Sequence, residues 1–283
     1  MEAKEIWAGL DRVQDLPTLP PVAMEVNALL QDQDTSIRKL SQTIERDQAI
    51  TARILRLVNS AFFGLGSKVG NIPHALVLLG FNTVRNAVLS LAVIDAFRMK
   101  QGNGFDVKEF WRHSIAVAVV SKHLAEKTRF YPPDDVFTAG LLHDVGKFIL
   151  SLCFHDVFQR VWARARNDHL PFLEAEREEL PVHHGQIGAY LARKWKLPLS
   201  LVEAIQYHHT VKDDAHEPNL LRIVNAADAM VNSLDNGAGK VLARKVADPS
   251  MPKALGSLLE TAAEWFQPVS EEIASATAFF MKE

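Results

Sequence analysis

AGLLHDVGKFIL, residues 139–150, is an apolar run of helical character that carries His143, Asp144 and Lys147 inside it. Polar groups in an apolar helix are costly to bury unless they find partners. A histidine beside an aspartate offers two metal ligands at one place. The stretch therefore predicts a buried helix with an interior site, provided that other segments bring further ligands to it.

The composition fits a globular protein without a strong electrostatic preference. The chain has 283 residues, is 48% hydrophobic and carries a formal net charge of -3, with a pI near 6.4. This balance argues against nucleic acid and against an anionic membrane surface as partners. The single cysteine, Cys153, excludes an internal disulfide and a thiolate zinc site. We expect no signal peptide, because acids and prolines interrupt the first thirty residues. We also expect no membrane span, because no long apolar stretch is free of charges. The sequence therefore predicts a cytoplasmic protein.

The fold class predicted from the periodicity is all-α, a multi-helix bundle. Apolar residues recur at helical spacing in nearly every segment, and alternating β-branched runs are missing. In the first half, Asp47 is expected to cap a helix, and Gly80 to separate two helices at 72–79 and 82–97. The helices predicted for the second half are 107–128, 134–153, 155–168, 171–179, 183–195, 198–209, 219–235, 239–247 and 268–281.

The interval 99–107, MKQGNGFDV, is the clearest internal boundary, because two glycines and polar residues interrupt the helical pattern. One histidine, His74, precedes it, and the other ten follow it. We expect an amino-terminal packing part over 12–100 and a histidine-rich part over 106–235. Residues 236–283 are predicted to form amphipathic helices that either complete the core or form an interface.

Helix faces select the histidines that point inward. His113 shares one face with Phe110, Val117, Val120 and Leu124, so it lies on the buried stripe, whereas His123 is rotated toward the surface or an edge.

The pair His183-His184 divides in the same way. His184 shares its face with Ile187, Gly188, Leu191 and Trp195, which makes it the better ligand candidate. Gly188 would also allow a neighbouring helix or a substrate to approach closely.

Asp228 shares its stripe with Leu221, Val224, Asn225 and Val231, so this carboxylate also points into the core and needs a cationic partner. His208 and His209 are adjacent, and adjacent residues diverge by ~100° on a helix. Both side chains can therefore reach one site only if they lie at a helix end. Otherwise they would bind different ions.

Each of these residues alone also fits a hydrogen-bonded core position. Several inward histidines and aspartates on separate helices cannot easily meet one another's hydrogen-bonding and charge requirements without an ion. Their number therefore favours a shared metal site.

The ligand order now resembles that of a known family. The series His113, His143-Asp144, His184, His208-His209 and Asp228 is similar to that of the HD superfamily of metal-dependent phosphohydrolases, especially its HD-GYP phosphodiesterase and HDOD branches. The segments LPTLPPVAMEVNALLQD, LSQTIERDQAITARILRLVNSAFFG, IPHALVLLGFNTVRNAVLS and HGQIGAYLARKWKLP resemble HDOD proteins, the HD-related output domain of bacterial signalling. The resemblance covers about residues 12–235.

The resemblance implies a helical output or regulatory module. The mixed imidazole and carboxylate ligands suit one ion, or two, of iron, manganese, zinc, nickel or cobalt. One ion would be held by His113, His143, Asp144 and Asp228, and Asp144 would bridge to a second, held by His184, His208 and His209.

Two functions stay open at this point. The first is a signalling output protein that acts through a protein partner. The second is a metal-dependent phosphohydrolase or phosphodiesterase with a phosphoester ligand, in which Asp144 and Lys147 are catalytic. Lys147 fits equally well as a surface lysine or as an ion-pair partner of Asp144. The segment TVKDDAHEPN after His209 stands in place of a Gly-Tyr-Pro loop, so hydrolysis of cyclic-di-GMP is not expected.

Overall fold

The computed structural model describes residues 2–13, 16–32, 34–60, 63, 65–98, 105–235 and 252–281. Within these residues every regular element is a helix, so the predicted all-α class is confirmed. The helices are α1 (Ala3–Arg12), α2 (Pro21–Leu29), α3 (Ile37–Glu45), α4 (Gln48–Val58), α5 (Ile72–Arg98), α6 (Val107–Thr128), α7 (Pro133–Leu142), α8 (Val145–Cys153), α9 (His155–Asn167), α10 (Phe172–Glu179), α11 (His184–Lys194), α12 (Leu199–Tyr207), α13 (Pro218–Asp235), α14 (Lys253–Glu260) and α15 (Ala262–Met281).

Local sequence signals explain many helix starts. The hydroxyl of Ser36 accepts a hydrogen bond from the Lys39 amide, and the carboxylate of Asp47 accepts one from the Ile50 amide, so each caps its helix. The predicted cap at Asp47 is confirmed. Gly80 has φ 83° and ψ 168° inside α5, a backbone conformation that favours glycine, and it kinks the helix where the sequence predicted a separation.

The helices pack in two groups, one in each half of the chain. Helices α2, α3 and α4 pack on α5, and α5 continues the core toward α7. Helix α6 packs on α7, α13 and α15, while α8 packs on α11 and α11 on α12. The ligand-bearing segments of the second half therefore surround one interior region. The proposed division at residues 99–107 stays a prediction, and residues 99–104 lie outside the described part of the chain.

The continuous helix predicted over 134–153 is wrong. The chain instead forms α7 and α8, joined by a turn at His143-Asp144. Asp144 has φ -101° and ψ 6°, which takes the backbone out of helical geometry at that residue. Adjacent side chains on a continuous helix diverge by ~100°, and the turn allows both His143 and Asp144 to face the same interior region.

Helices α14 and α15 pack on α6 from the side of its carboxyl-terminal half. Leu255, Val269 and Phe280 are buried there, and the ring of His123 stacks on Trp265 with centroids 4.6 Å apart. His123 is half-buried, which agrees with the expected edge position. The predicted helix 239–247 lies outside the described residues.

Two apolar stretches, Ile72–Phe97 and Pro133–Cys153, have the length and composition of membrane spans. In their most apolar windows, 56% and 83% of the residues are buried inside the protein, as in core helices. The expectation of no membrane span stays a prediction.

Candidate metal centre

The structure brings all seven predicted ligands together at the centre of the second half. They come from α6, the α7–α8 turn, the start of α11, the end of α12 and the middle of α13. Their ligand atoms form two groups, in each of which all atoms lie within 4.8 Å of one another. The first group, which we call the histidine group, is Asp144, His184, His208 and His209, and the second, which we call the aspartate group, is His113, His143 and Asp228.

The adjacent pair His208-His209 reaches the site because α12 ends at Tyr207, directly before it. Both rings belong to the histidine group, with centroids 4.0 Å apart. The helix-end arrangement expected from the sequence is therefore present. His183 is excluded from both groups, in agreement with the preference for His184.

Most of the centre is sealed from solvent. His143, His184 and His208 have no exposed surface, and Asp144 is 1% exposed. The side chains of His113 and His209 are 14% and 22% exposed, so they form the edge of the site. A small molecule or ion would have to reach the centre past this edge.

In the histidine group, three imidazole nitrogens converge on one another. The Nε2 atom of His184 lies 3.1 Å from Nε2 of His208 and 3.0 Å from Nε2 of His209. The Oδ1 atom of Asp144 lies 3.2 Å from Nε2 of His184 and 3.5 Å from Nε2 of His208. Three nitrogens and one carboxylate oxygen thus share a space of a few ångströms.

The opposite ring nitrogens are held by acceptors, which sets the tautomers. Nδ1 of His143 donates to the carbonyl of Gly140 at 2.6 Å, and Nδ1 of His208 donates to the carbonyl of Ile205 at 2.8 Å. A carbonyl oxygen only accepts, so each Nδ1 carries the proton, and a neutral ring then presents a lone pair at Nε2. Such lone pairs repel one another unless a proton or a cation lies between them.

Asp144 connects the two groups through its two oxygens. Its Oδ1 faces the histidine group, and its Oδ2 lies 3.3 Å from Nε2 of His143 and 3.8 Å from Nε2 of His113. Asp228 completes the aspartate group, with Oδ1 3.2 Å from Nε2 of His113 and 3.5 Å from Nε2 of His143. Nε2 of His143 and Oδ1 of Asp144 are buried without a well-formed hydrogen bond. These orphaned atoms and the imidazole–carboxylate set fit a divalent transition metal.

The electrostatics of the centre favour a proton on His143 and ionised carboxylates at Asp144 and Asp228. Burial lowers the pKa of His143, but the carboxylates of Asp144 and Asp228 outweigh it and raise that pKa to about 10. Burial raises the pKa of both carboxylates, yet neighbouring cations hold each pKa well below its usual range. Burial lowers the pKa of His208 to about 4 and also lowers that of His209. These two rings are therefore neutral at pH 7 and ready to act as ligands.

Lys147 lies against the centre. Its Nζ is 2.5 Å from Oδ2 of Asp144 and 5.3 Å from the ring centre of Phe172, and its side chain is 21% exposed. Burial lowers the pKa of Lys147, but Asp144 and Asp228 outweigh it, so the pKa is raised. The ion-pair alternative considered for Lys147 is the one present in the structure, and its contact with phosphate stays a prediction.

Sequence reasoning missed three residues that contact the ligands. Both carboxylate oxygens of Glu176 bind His184, the amide of Asn232 donates to Asp228, and that of Asn225 donates to the carbonyl of His208. Asn232 lies one turn after Asp228, so the i,i+4 spacing could have found it. Glu176 stands among other acids in FLEAEREE, where nothing distinguishes it.

The fold and the site together define the class. A helical bundle whose interior gathers a His-Asp step, four further histidines and a second aspartate is a protein of the HD type. The chain belongs to the HDOD domain family, whose sequence profile matches residues 16–211. The resemblance drawn from the sequence is confirmed.

A solved HDOD structure agrees with this assignment, and the chain is also similar to a further solved structure and to curated proteins. An HDOD domain protein of unknown function from Geobacter sulfurreducens is 25% identical with a TM-score of 0.78, covering 98% of this chain and 96% of its own. A candidate phosphohydrolase from Shewanella amazonensis is 28% identical with a TM-score of 0.72, covering 95% and 98%. An uncharacterised protein of Treponema pallidum is 26% identical over 227 residues, which are 80% of this chain and 44% of that protein. The chain spans less than half the length of the curated relatives it matches.

Proposed function

We propose that this chain is a cytoplasmic output module of bacterial signal transduction that binds one or two divalent transition-metal ions and acts through a protein partner. The observation that carries the metal part is the convergence of three imidazoles in a largely buried interior, where Nε2 of His184 lies 3.1 Å from that of His208 and 3.0 Å from that of His209. The carbonyl behind His208 leaves its Nε2 lone pair directed at Nε2 of His184, and Oδ1 of Asp144 faces the same space, an arrangement that a cation stabilises.

The division of donors supports a centre with room for two ions. The histidine group would hold one ion through three imidazoles and Oδ1 of Asp144, and the aspartate group would hold a second, with Oδ2 of Asp144 as the bridge. Iron, manganese, zinc, nickel and cobalt all accept this ligand set. When bound, such ions supply positive charge and Lewis acidity beside Asp144.

Burial favours a structural or sensing role for the metal. Four of the ligands are at most 1% exposed, and Lys147 is engaged by Asp144. A substrate would have access at the partly exposed side chains of His113, His209 and Lys147. A module whose metal stabilises one arrangement of helices needs no such access.

Polar contacts between the two halves support an output role. The Asp135 carboxylate on the first turn of α7 accepts hydrogen bonds from Arg85 at 3.1 Å and Asn86 at 2.5 Å, and Asp134 accepts one from Thr83 at 2.7 Å. These contacts fix the start of α7 to α5, and the His143-Asp144 step directly follows the end of α7. Helix α7 therefore joins the metal ligands to the amino-terminal half, which we propose as the partner-binding part.

The alternative function is a metal-dependent phosphohydrolase. Lys147 favours it, because an ammonium that lies at Asp144 and is partly exposed could move to a phosphoryl oxygen once ions neutralise that carboxylate. In this alternative Asp144 holds the ions, and Lys147 orients the phosphoester. The 28% identical candidate phosphohydrolase supports it.

Metal analysis followed by an activity screen tests both functions. Wild-type protein is expected to retain at least one transition-metal ion per chain after dialysis, His208→Ala to lose the ion of the histidine group, and the exposed control His74→Ala to keep it. The metal-loaded protein is then assayed with phosphomonoesters, nucleotides and cyclic dinucleotides. Inert metal-loaded protein supports the module, and turnover abolished by Asp144→Ala supports the hydrolase. A wild type without stoichiometric metal contradicts both.

A further inference from the structure

We infer that Glu176 is a positioning residue that aims His184 at the ion of the histidine group and strengthens that ion's binding, with little effect on an ion in the aspartate group. This inference rests on the metal site proposed above and adds a residue outside the ligand set.

Both carboxylate oxygens of Glu176 accept hydrogen bonds from His184. Its side chain has no exposed surface. One carboxylate oxygen, Oε1, accepts a hydrogen bond from the backbone amide of His184 at 2.9 Å, and Oε2 accepts one from the ring Nδ1 at 2.5 Å. A buried carboxylate is unfavourable unless it is paired and hydrogen-bonded, so an acid in this position requires the partner it has. The two contacts fix both the backbone and the ring of one residue.

The position of His184 in its helix explains why it needs this carboxylate. His143 and His208 each come directly after the last turn of a helix. The ring of each donates Nδ1–H to the backbone carbonyl three residues earlier. His184 is the first residue of α11, and His183 before it is extended, with φ -108° and ψ 166°. No preceding helical turn exists to supply a carbonyl below the ring. Glu176 of α10 supplies the missing acceptor.

Helix α10 places a second side chain against the same ring. Phe172, one turn before Glu176, lies with its ring 5.9 Å from that of His184 in an edge-on arrangement. The carboxylate is shielded from water, and a charge-assisted hydrogen bond is stronger there than in water. A carboxylate behind a ligand histidine fixes the tautomer and makes Nε2 a better donor. His184 belongs to the histidine group alone, so the effect falls on the ion bound there.

Zinc affinity is the first test, measured by competition with a chromophoric chelator. Glu176→Gln is nearly isosteric, but its side-chain amide has only one acceptor oxygen. The backbone N–H and the ring Nδ1–H of His184 both need an acceptor. We expect it to weaken one zinc equivalent about 10- to 100-fold. Glu174→Gln, an exposed acid on the same helix, is the matched control and is expected to bind as the wild type does. Wild-type affinity in Glu176→Gln would overturn the inference.

Nitrogen-15 spectra of the histidine rings give a readout that a purely structural role would not move. In zinc-loaded wild type, His184 is expected to have a protonated Nδ1 and a zinc-bound Nε2, with slow exchange of the Nδ1 proton. Zinc on Nδ1 would overturn the inference without any variant, even if Glu176→Gln fails to fold. Absence of zinc binding in both the wild type and Glu174→Gln would instead contradict the proposed metal site, so the two failures are distinguishable.

Discussion

Gly146 and His184 are in backbone contact: a Cβ atom added to Gly146 would lie 1.8 Å from the carbonyl oxygen of His184. Gly188, one turn after His184, faces Gly146 from the other helix, as the close approach predicted for it requires. Helices α8 and α11 therefore touch through glycines at their crossing. This contact sets the separation of two ligand-bearing segments.

Gly146→Ala should disrupt this crossing. Because the obstacle is backbone, neither helix can accommodate the methyl group without moving, and we expect a loss of about 3 kcal/mol or more in the free energy of unfolding together with weaker metal binding. Gly256→Ala is the control, since nothing lies within 4 Å of its added Cβ. That control should be neutral or stabilise α14 by about 0.5–1 kcal/mol. Equal effects of both changes in urea unfolding would contradict the packing argument.

Metal binding at neutral pH should release a proton from His143. With a pKa of about 10, this ring is protonated at pH 7.5 and must become neutral to bind an ion. His208, with a pKa of about 4, is already neutral and contributes no proton. Calorimetric titration in two buffers with different ionisation enthalpies should report a net release of protons, and affinity should rise with pH. A heat of binding independent of the buffer would contradict this.

Acid should weaken the docking of α15 on α6 through His123. Burial, and then the charge of Lys127, lower the pKa of His123 below the ordinary value of 6.5. The unfolded chain therefore takes up this proton first, and stability falls as the pH drops below about 6.5. His123→Phe keeps an aromatic ring against Trp265 and removes the titration. Thermal unfolding between pH 7.5 and 5 should be less pH-dependent in this variant, and an unchanged dependence would rule the contribution out.

Asp135→Ala should destabilise the junction between the halves. The change leaves the amide of Asn86, which is 3% exposed, and the guanidinium of Arg85 without their shared acceptor. An unsatisfied buried donor costs about 1–3 kcal/mol. Glu109→Ala breaks the exposed pair with Arg112 and serves as the control, with an expected change below about 1 kcal/mol. The comparison fails if denaturant midpoints fall equally in the two variants.

Helix faces were enough to find most of the inward-pointing residues. His113, His184 and Asp228 lie on apolar stripes, which periodicity measures directly, and His208-His209 required only a helix end. The turn at Asp144 escaped prediction because apolar periodicity continues through it and no proline marks it. Glu176 and the stacking of His123 on Trp265 depend on how distant helices pack, and that information is not local.

Anomalous diffraction at the metal's absorption edge, on crystals grown from metal-loaded protein, tests the central claim most directly. The account predicts a peak about 2.0–2.2 Å from Nε2 of His184 and of His208 and from an oxygen of Asp144. A second peak, where present, should lie among His113, His143 and Asp228. Fully loaded protein with no peak in this interior, or with its peak at a surface histidine such as His74, would contradict the claim that the buried centre is a metal site.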